Sequence, residues 1–186
     1  PSTKPYRILC VGRLSNEKDQ ITLLRAMRFS RYASNIELIF AGNGPKADKI
    51  KRVARKLFDD GIVGYEPVFG FYTLKQLQEI DASSWLYIHC AKIEVEGLSC
   101  LEAIQQGVVP IIAEGGLSAT SQFALDEHST FPTSDYRALA ERIDWWIEHP
   151  EHRSHMSRLY AESVQKYSSE VSTRNIIAMY ESAMRG

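Results

Sequence analysis

Tyr6-Arg-Ile-Leu-Cys-Val11, the loop Gly12-Arg13-Leu14-Ser15-Asn16-Glu17-Lys18, an amphipathic run to Phe29, and Ile36-Glu-Leu-Ile-Phe-Ala41 form the opening stretch on which the fold turns. The two apolar runs are short and nearly continuous, the pattern of strands buried on both faces. Between them, from about Asp19 to Phe29, Ile21, Leu23, Leu24 and Met27 recur at helical spacing. Buried strand, loop, helix and buried strand together make the unit from which parallel sheets are built.

The same alternation continues outward. Ile50, Val53, Ala54, Leu57 and Phe58 mark one helix face, and Ile62 to Phe69 reads as a weaker strand interrupted by Pro67. A helix on Leu74, Leu77 and Ile80 follows, then a strand at Trp85 to His89, a helix from Ser99 to Gln106 and a strand at Val108 to Ile112. Ser129 to Phe131 supplies an edge strand. Asp135–Glu148, Glu151–Lys166 and Glu170–Arg185 complete a helical tail. The expectation is a single α/β domain over residues 1–186, a Rossmann-like three-layer α/β/α sandwich around a parallel sheet. Ligands of such sheets bind beyond the carboxyl ends of the strands.

Composition narrows the function classes. A chain of 186 residues with 44% hydrophobic and 24% charged residues has the balance of a soluble globular domain. It has no run of ~18 apolar residues and no secretory signal pattern, which places it in the cytoplasm, with the inner face of the cell membrane as an alternative site. Cys10, Cys90 and Cys100 each sit in an apolar run and read as buried free thiols. The net charge of -1 argues against nucleic-acid binding, yet residues 1–60 hold 13 Lys/Arg against 6 Asp/Glu, or +7, leaving 9 against 17, or -8, for the rest.

The post-strand loops carry the chemistry. Arg13 and Lys18 flank the start of a helix, where N–H groups and the helix dipole favour anions; the plain alternative is two solvated surface cations. Gly42-Asn-Gly44-Pro45 permits a tight turn with backbone close to a ligand, or is simply a turn. In Glu94-Val-Glu-Gly97-Leu98-Ser99-Cys-Leu-Glu102, two carboxylates bracket a Gly at a helix mouth. Backbone N–H groups at Gly97, Leu98 and Ser99 suit an oxyanion, while the carboxylates suit hydroxyls, a combination that fits a ligand with both phosphate and sugar. Ala113-Glu-Gly115-Gly116-Leu-Ser118 again combines glycines with hydroxyls.

Taken in order, Gly12-Arg13, Glu17-Lys18, Gly42-x-Gly44-Pro45, Glu94 and Glu102-Ala103, and Gly115-Gly116 resemble the donor-binding half of the family 4 (group 1) glycosyltransferases. The resemblance implies a GT-B architecture, of which this would be the C-terminal domain, with an N-terminal acceptor domain outside the chain. It implies transfer of a hexose-type sugar, with retained anomeric configuration and no metal or other cofactor, from a UDP- or GDP-linked donor. The acceptor would be a glycan or glycolipid, in cell-surface polysaccharide or glycolipid biosynthesis. Carried over by position, Arg13, Lys18, Gly97, Leu98 and Ser99 would bind the diphosphate, Glu94 would act at the sugar as the catalytic carboxylate, and Glu102 would hold the ribose. Val68, Phe69 and Gly70 would line the base. Gly12, Gly42, Gly44, His89, Gly115 and Gly116 are further candidates, His89 having a buried structural histidine as its alternative. The domain alone is expected to be inactive.

Ala119 and Thr120 stand where the family often has an acidic residue, so the donor-sugar contacts there depart from its pattern. Ser118 to Leu125 resembles a bacterial subset, some members of which act on glycolipids. Of His149, His152 and His155, the outer two fall on different helix faces, which makes a three-ligand metal site awkward. The basic run Lys46, Lys49, Lys51, Arg52, Arg55 and Lys56 is a solvated face or a peripheral membrane contact. Trp145 and Trp146 are expected to pack one ring inward and leave the other partly exposed. The competing class is a non-catalytic nucleotide-binding or regulatory module. A dehydrogenase is disfavoured because no Gly-x-Gly-x-x-Gly follows the first strand, and a phospho-receiver because the loop there is cationic.

Overall fold

The structure, a computed structural model, describes residues 4–165. Its elements run β1 (Tyr6–Val11), α1 (Gln20–Ala26), β2 (Ile36–Ala41), α2 (Ala47–Asp59), β3 (Val68–Gly70), α3 (Leu74–Ser83), β4 (Leu86–His89), β5 (Ile93–Glu94), α4 (Leu98–Gln105), β6 (Val109–Glu114), β7 (Leu117–Ser118), β8 (Thr130–Pro132) and α5 (Tyr136–Glu148). Residues 150–165 are helical. The expected helix at Glu170–Arg185 lies outside the described residues.

Six strands pair in the order β3-β2-β1-β4-β6-β8, all parallel. Tyr6–Val11 runs in register with Ile36–Ala41 over its full length. Helices cover both faces: α1 packs against α2 and α5, and α3 packs against α4. This is the expected three-layer Rossmann-like domain. Strand order reverses at β1, whose two neighbours are β2 and β4, and that reversal opens the ligand crevice at the carboxyl ends of β1 and β4.

The core explains the strand pattern. Ile8, Leu9, Phe40, Tyr87, Ile88, Ile111 and Ile112 are completely buried, each aliphatic side chain contributing about 1.5–3 kcal/mol. Trp146 is buried and Trp145 half-buried, as expected, and all three cysteines are buried and free. Helix starts follow local chemistry: Thr73 forms a capping box with Gln76 at α3, and Asp135 accepts the Arg137 and Ala138 N–H groups at α5.

One expectation needs correction. The third strand is only Val68–Gly70, because the N–H groups of Ile62 and Val63 turn back to the Leu57 carbonyl and close α2 instead. Buried Pro67, which lacks an N–H, then precedes the strand. Strands β5 and β7 went unforeseen; they form a separate two-stranded parallel sheet pairing Ile93 with Leu117 and Glu94 with Ser118.

The histidine trio does not converge: the His149 ring stacks on Trp145, while His152 Nε2 sits 2.7 Å from Asp126 Oδ2. Among the described residues no cluster of His, Cys, Asp or Glu is placed to hold a metal ion. In the basic run, Arg55 pairs with Asp59 and Glu66, and Lys56 with Asp60. No helix of the described residues is long and apolar enough to cross a membrane.

Candidate functional site

The loops at the carboxyl ends of β1, β2 and β3 meet backbone to backbone. Gly12 N–H donates to the Ala41 carbonyl and Gly42 N–H to the Gly70 carbonyl, both at 2.9 Å. At Gly42, with φ +145°, an added Cβ would sit 2.2 Å from the Gly12 carbonyl oxygen, so only Gly fits. Gly44 lies equally close to the Leu14 backbone. The glycine pair after β2 therefore shapes the β1–α1 loop by letting a second loop press against it. Arg13, on that loop, is exposed and forms no ion pair among the described residues; its carbonyl accepts Gln20 Nε2 at 2.9 Å.

Lys18 lies across Gly12, its aliphatic carbons 3.8–4.0 Å from where a Cβ would be. Its ammonium donates to Glu94 Oε2, forming a largely buried ion pair across the crevice between the loops that follow β1 and β4. His89, the last residue of β4, is 3% exposed and places Nε2 3.7 Å from the same Glu94 oxygen. Among the described residues that Nε2 has no hydrogen-bond partner.

The small sheet fixes Glu94. Ala119 N–H donates to the Glu94 carbonyl, Leu117 N–H to the Lys92 carbonyl, and Lys92 N–H to the Glu17 carbonyl, at 2.8–3.1 Å. The Gly115-Gly116 turn links β6 to β7 and brings Gly116 against the Lys92 carbonyl. Burial works against the charged form of Glu94. The Lys18 hydrogen bond and charge, His89 and the Gly97 backbone outweigh it, holding the carboxyl below the usual range. Burial pushes His89 down to about 4 against the opposing pull of Glu94, so the imidazole is neutral at pH 7.

Helix α4 starts at the same crevice. Gly97, its N-cap, adopts φ +63°, and an added Cβ would meet the Thr120 side chain at 2.8 Å. The first intrahelical bonds run from Cys100 and Leu101 N–H to the Gly97 carbonyl, which leaves the N–H groups of Leu98 and Ser99 outside the helical ladder. Leu98 is exposed, and Ser99 Oγ lies 2.9 Å from the hydroxyl of buried Tyr87. One turn on, Glu102 is exposed. Asp81 on α3 is buried, with Oδ1 unpartnered; burial, and secondarily the charge of Glu102, push its carboxyl up to about 7.

Thus Lys18, Glu94 and His89 meet directly, Gly97 joins through its backbone, and Ser99 connects to His89 through Tyr87. Arg13, Glu102 and Val68 stay exposed and make no ion pair or hydrogen bond with the Lys18–Glu94 pair. At the expected base-lining segment, Phe69 stacks its ring on Phe40, with centroids 4.9 Å apart. Tyr72, packed on Gly70, and exposed Phe71 flank that segment and were not foreseen. Neither was Tyr87, which reads in sequence as one more apolar strand residue.

The family model for glycosyl transferases group 1 matches residues 1–162. The catalytic domain of cholesterol-alpha-glucosyltransferase from Helicobacter pylori is 44% identical, with a TM-score of 0.82, over 88% of this chain and 99% of that one. Anabaena Alr3699/HepE, solved with UDP and glucose, superposes with a TM-score of 0.81 at 18% identity, and this chain spans 49% of its length. The C-terminal domain of a glycosyl transferase group 1 family protein (LpcC) from Francisella tularensis gives a TM-score of 0.73 at 16% identity, over 88% of this chain and 87% of that one. These last two likenesses, both under 25% identity, show the fold alone. A search of curated protein sequences returned no match. With the family matched across most of its length and a 44% identical catalytic domain sharing its fold, the chain belongs to the group 1 glycosyltransferases and forms a GT-B type Rossmann-like domain.

Proposed function

We propose that this chain is the nucleotide-sugar half of a retaining glycosyltransferase that moves a hexose from a nucleotide diphosphate donor to a lipid or glycan acceptor. One observation carries the reading: a cation and a carboxylate, from loops 76 residues apart in sequence, are paired in the crevice where the sheet reverses, beside the N-terminus of α4. Such a pair offers one group to a diphosphate and one to sugar hydroxyls.

In this reading Lys18 and Arg13 neutralise the charge that develops on the departing nucleoside diphosphate. The N–H groups of Leu98 and Ser99 add preorganised donors in place of a metal. Glu94, released from Lys18 as the diphosphate takes the ammonium, holds a sugar hydroxyl and stabilises the positive character of the anomeric carbon. Glu102 accepts the ribose hydroxyls, and Val68 to Gly70 line the base.

The 44% identity to an alpha-glucosyltransferase acting on cholesterol supports a glucosyl donor and a lipid-like acceptor. An alpha product from an alpha-linked nucleotide sugar is the outcome of retention. An N-terminal domain outside this chain supplies the acceptor site, and the domain alone is inactive. With a lipid acceptor, the enzyme works at the inner membrane face.

A nucleotide-sugar screen by saturation-transfer NMR on this chain tests the reading. A UDP- or GDP-sugar is expected to show transfer to both nucleotide and sugar protons. Saturation of none of them refutes the assignment.

A further inference from the structure

Building on the donor-site reading above, we propose that His89 is a positioning residue: a neutral imidazole whose Nε2–H holds the carboxylate of Glu94, its tautomer set by a hydrogen-bond chain from Ser99 through Tyr87. Tyr87 and His89 are two apart on β4 and so share a face. The Tyr87 hydroxyl lies 3.4 Å from His89 Nδ1 and 2.9 Å from Ser99 Oγ. Tyr87 is fully buried and His89 nearly so; among the described residues Nε2 has no hydrogen-bond partner, and the Glu94 oxygen stands 3.7 Å from it.

Two proton arrangements satisfy the Tyr87 hydroxyl. In the first, Ser99 donates to Tyr87, Tyr87 donates to Nδ1, and the ring proton stands on Nε2, facing the carboxylate. In the second, the order reverses: Nδ1–H donates to Tyr87, Tyr87 donates to Ser99, and the Nε2 lone pair faces an anionic oxygen in a buried space. The second leaves an unsatisfied acceptor against a negative charge, the costly case for a buried polar atom. Lys18 does not relieve it there: Nε2 receives no hydrogen bond from any described residue, the ammonium included. Burial also keeps the ring from taking a second proton near neutral pH. The first arrangement therefore holds, and the gap at Nε2 closes as Lys18 moves toward a bound diphosphate, catalytic hydrogen bonds often being long before the ligand arrives. Ser99 touches the diphosphate in the donor reading, so the chain links phosphate occupancy to the orientation of the sugar carboxylate.

The test uses the chain as it stands, labelled with ¹⁵N histidine. Long-range proton–nitrogen spectra at pH 7 are expected to show His89 as the Nε2–H tautomer; the Nδ1–H tautomer or a doubly protonated ring overturns the proposal. Binding of UDP and UDP-glucose is then compared in His89→Leu and His89→Gln. Leu fills the space without an N–H and is expected to lower UDP-glucose affinity about tenfold more than UDP affinity. Gln, which restores a donor, is expected to recover most of the loss. An unchanged ratio of the two affinities in His89→Leu overturns the proposal, as does equal loss in both variants. If the native chain binds neither nucleotide, the donor reading fails, and the tautomer still decides the His89–Glu94 contact.

Discussion

Gly97→Ala is the substitution whose consequence the structure defines most fully. The residue caps α4 at φ +63°, a conformation that costs an L-residue about 1–2 kcal/mol. The new methyl would stand 2.8 Å from both Thr120 Cγ2 and Oγ1, and 3.2 Å from the Phe123 ring. Thr120 is buried and cannot swing into solvent, so the overlap adds about 1–3 kcal/mol of overpacking. Together these give a loss of about 2–5 kcal/mol, measurable by urea unfolding. The two parts separate in a double-mutant cycle. In a Thr120→Ala background the Thr120 overlap is removed, and the backbone part, about 1–2 kcal/mol, remains together with the lesser contact on the Phe123 ring. Equal costs in the two backgrounds would show that Thr120 does not press on Gly97. A cost below about 0.5 kcal/mol in the native background would refute the α4 start described above.

Further outcomes follow from the same geometry. Lys18→Met leaves the Glu94 carboxylate half-buried without its cation, at about 1–3 kcal/mol in stability. Because the folded carboxyl of Glu94 sits below its unfolded value, this contribution is present above the ordinary carboxylate range. It is lost as pH falls through the folded value, so urea titrations of native chain and variant should converge in acid and diverge at neutrality. Asp81 has the opposite sign: its folded carboxyl is raised to about 7, so its burial costs stability as pH rises from about 4 toward 7. Asp81→Asn should therefore stabilise the chain by about 2–4 kcal/mol more at pH 8 than at pH 4; an equal effect at both would contradict it. Burial pushes the Cys10 thiol to about 12 and raises Cys90 and Cys100 as well. A disulfide reagent should thus label none of the three in the native chain and all three in guanidinium.

What was legible in the sequence was what local pattern encodes. Tyr6–Val11 and Ile36–Ala41 show the same limits in sequence and structure because both lie centrally in the sheet, buried on both faces. Strand β3 was blurred because the end of α2 borrows Ile62 and Val63 for its closing turn. Strands β5 and β7, two residues each, are too short for any periodicity, though they fix Glu94. Glycines on the loops marked the crevice, since close backbone approach at Gly42 and Gly44 restricts residue type. Which charges meet is a tertiary fact. Nothing local says that Lys18 pairs with Glu94 across 76 residues, while Arg13 and Glu102 stay exposed. Tyr87 was hidden for a different reason: in an apolar strand its ring reads as core, and only the fold shows its hydroxyl between Ser99 and His89.

The central claim, that the crevice between β1 and β4 receives a nucleoside diphosphate through Lys18, is tested most directly by calorimetric titration of UDP and GDP into the native chain and Lys18→Met. One of the two should bind at a single site in the native chain and about ten- to a hundredfold more weakly in the variant, the range expected for a charge-assisted hydrogen bond. Equal affinity in native chain and variant, or binding of neither nucleotide, would contradict it.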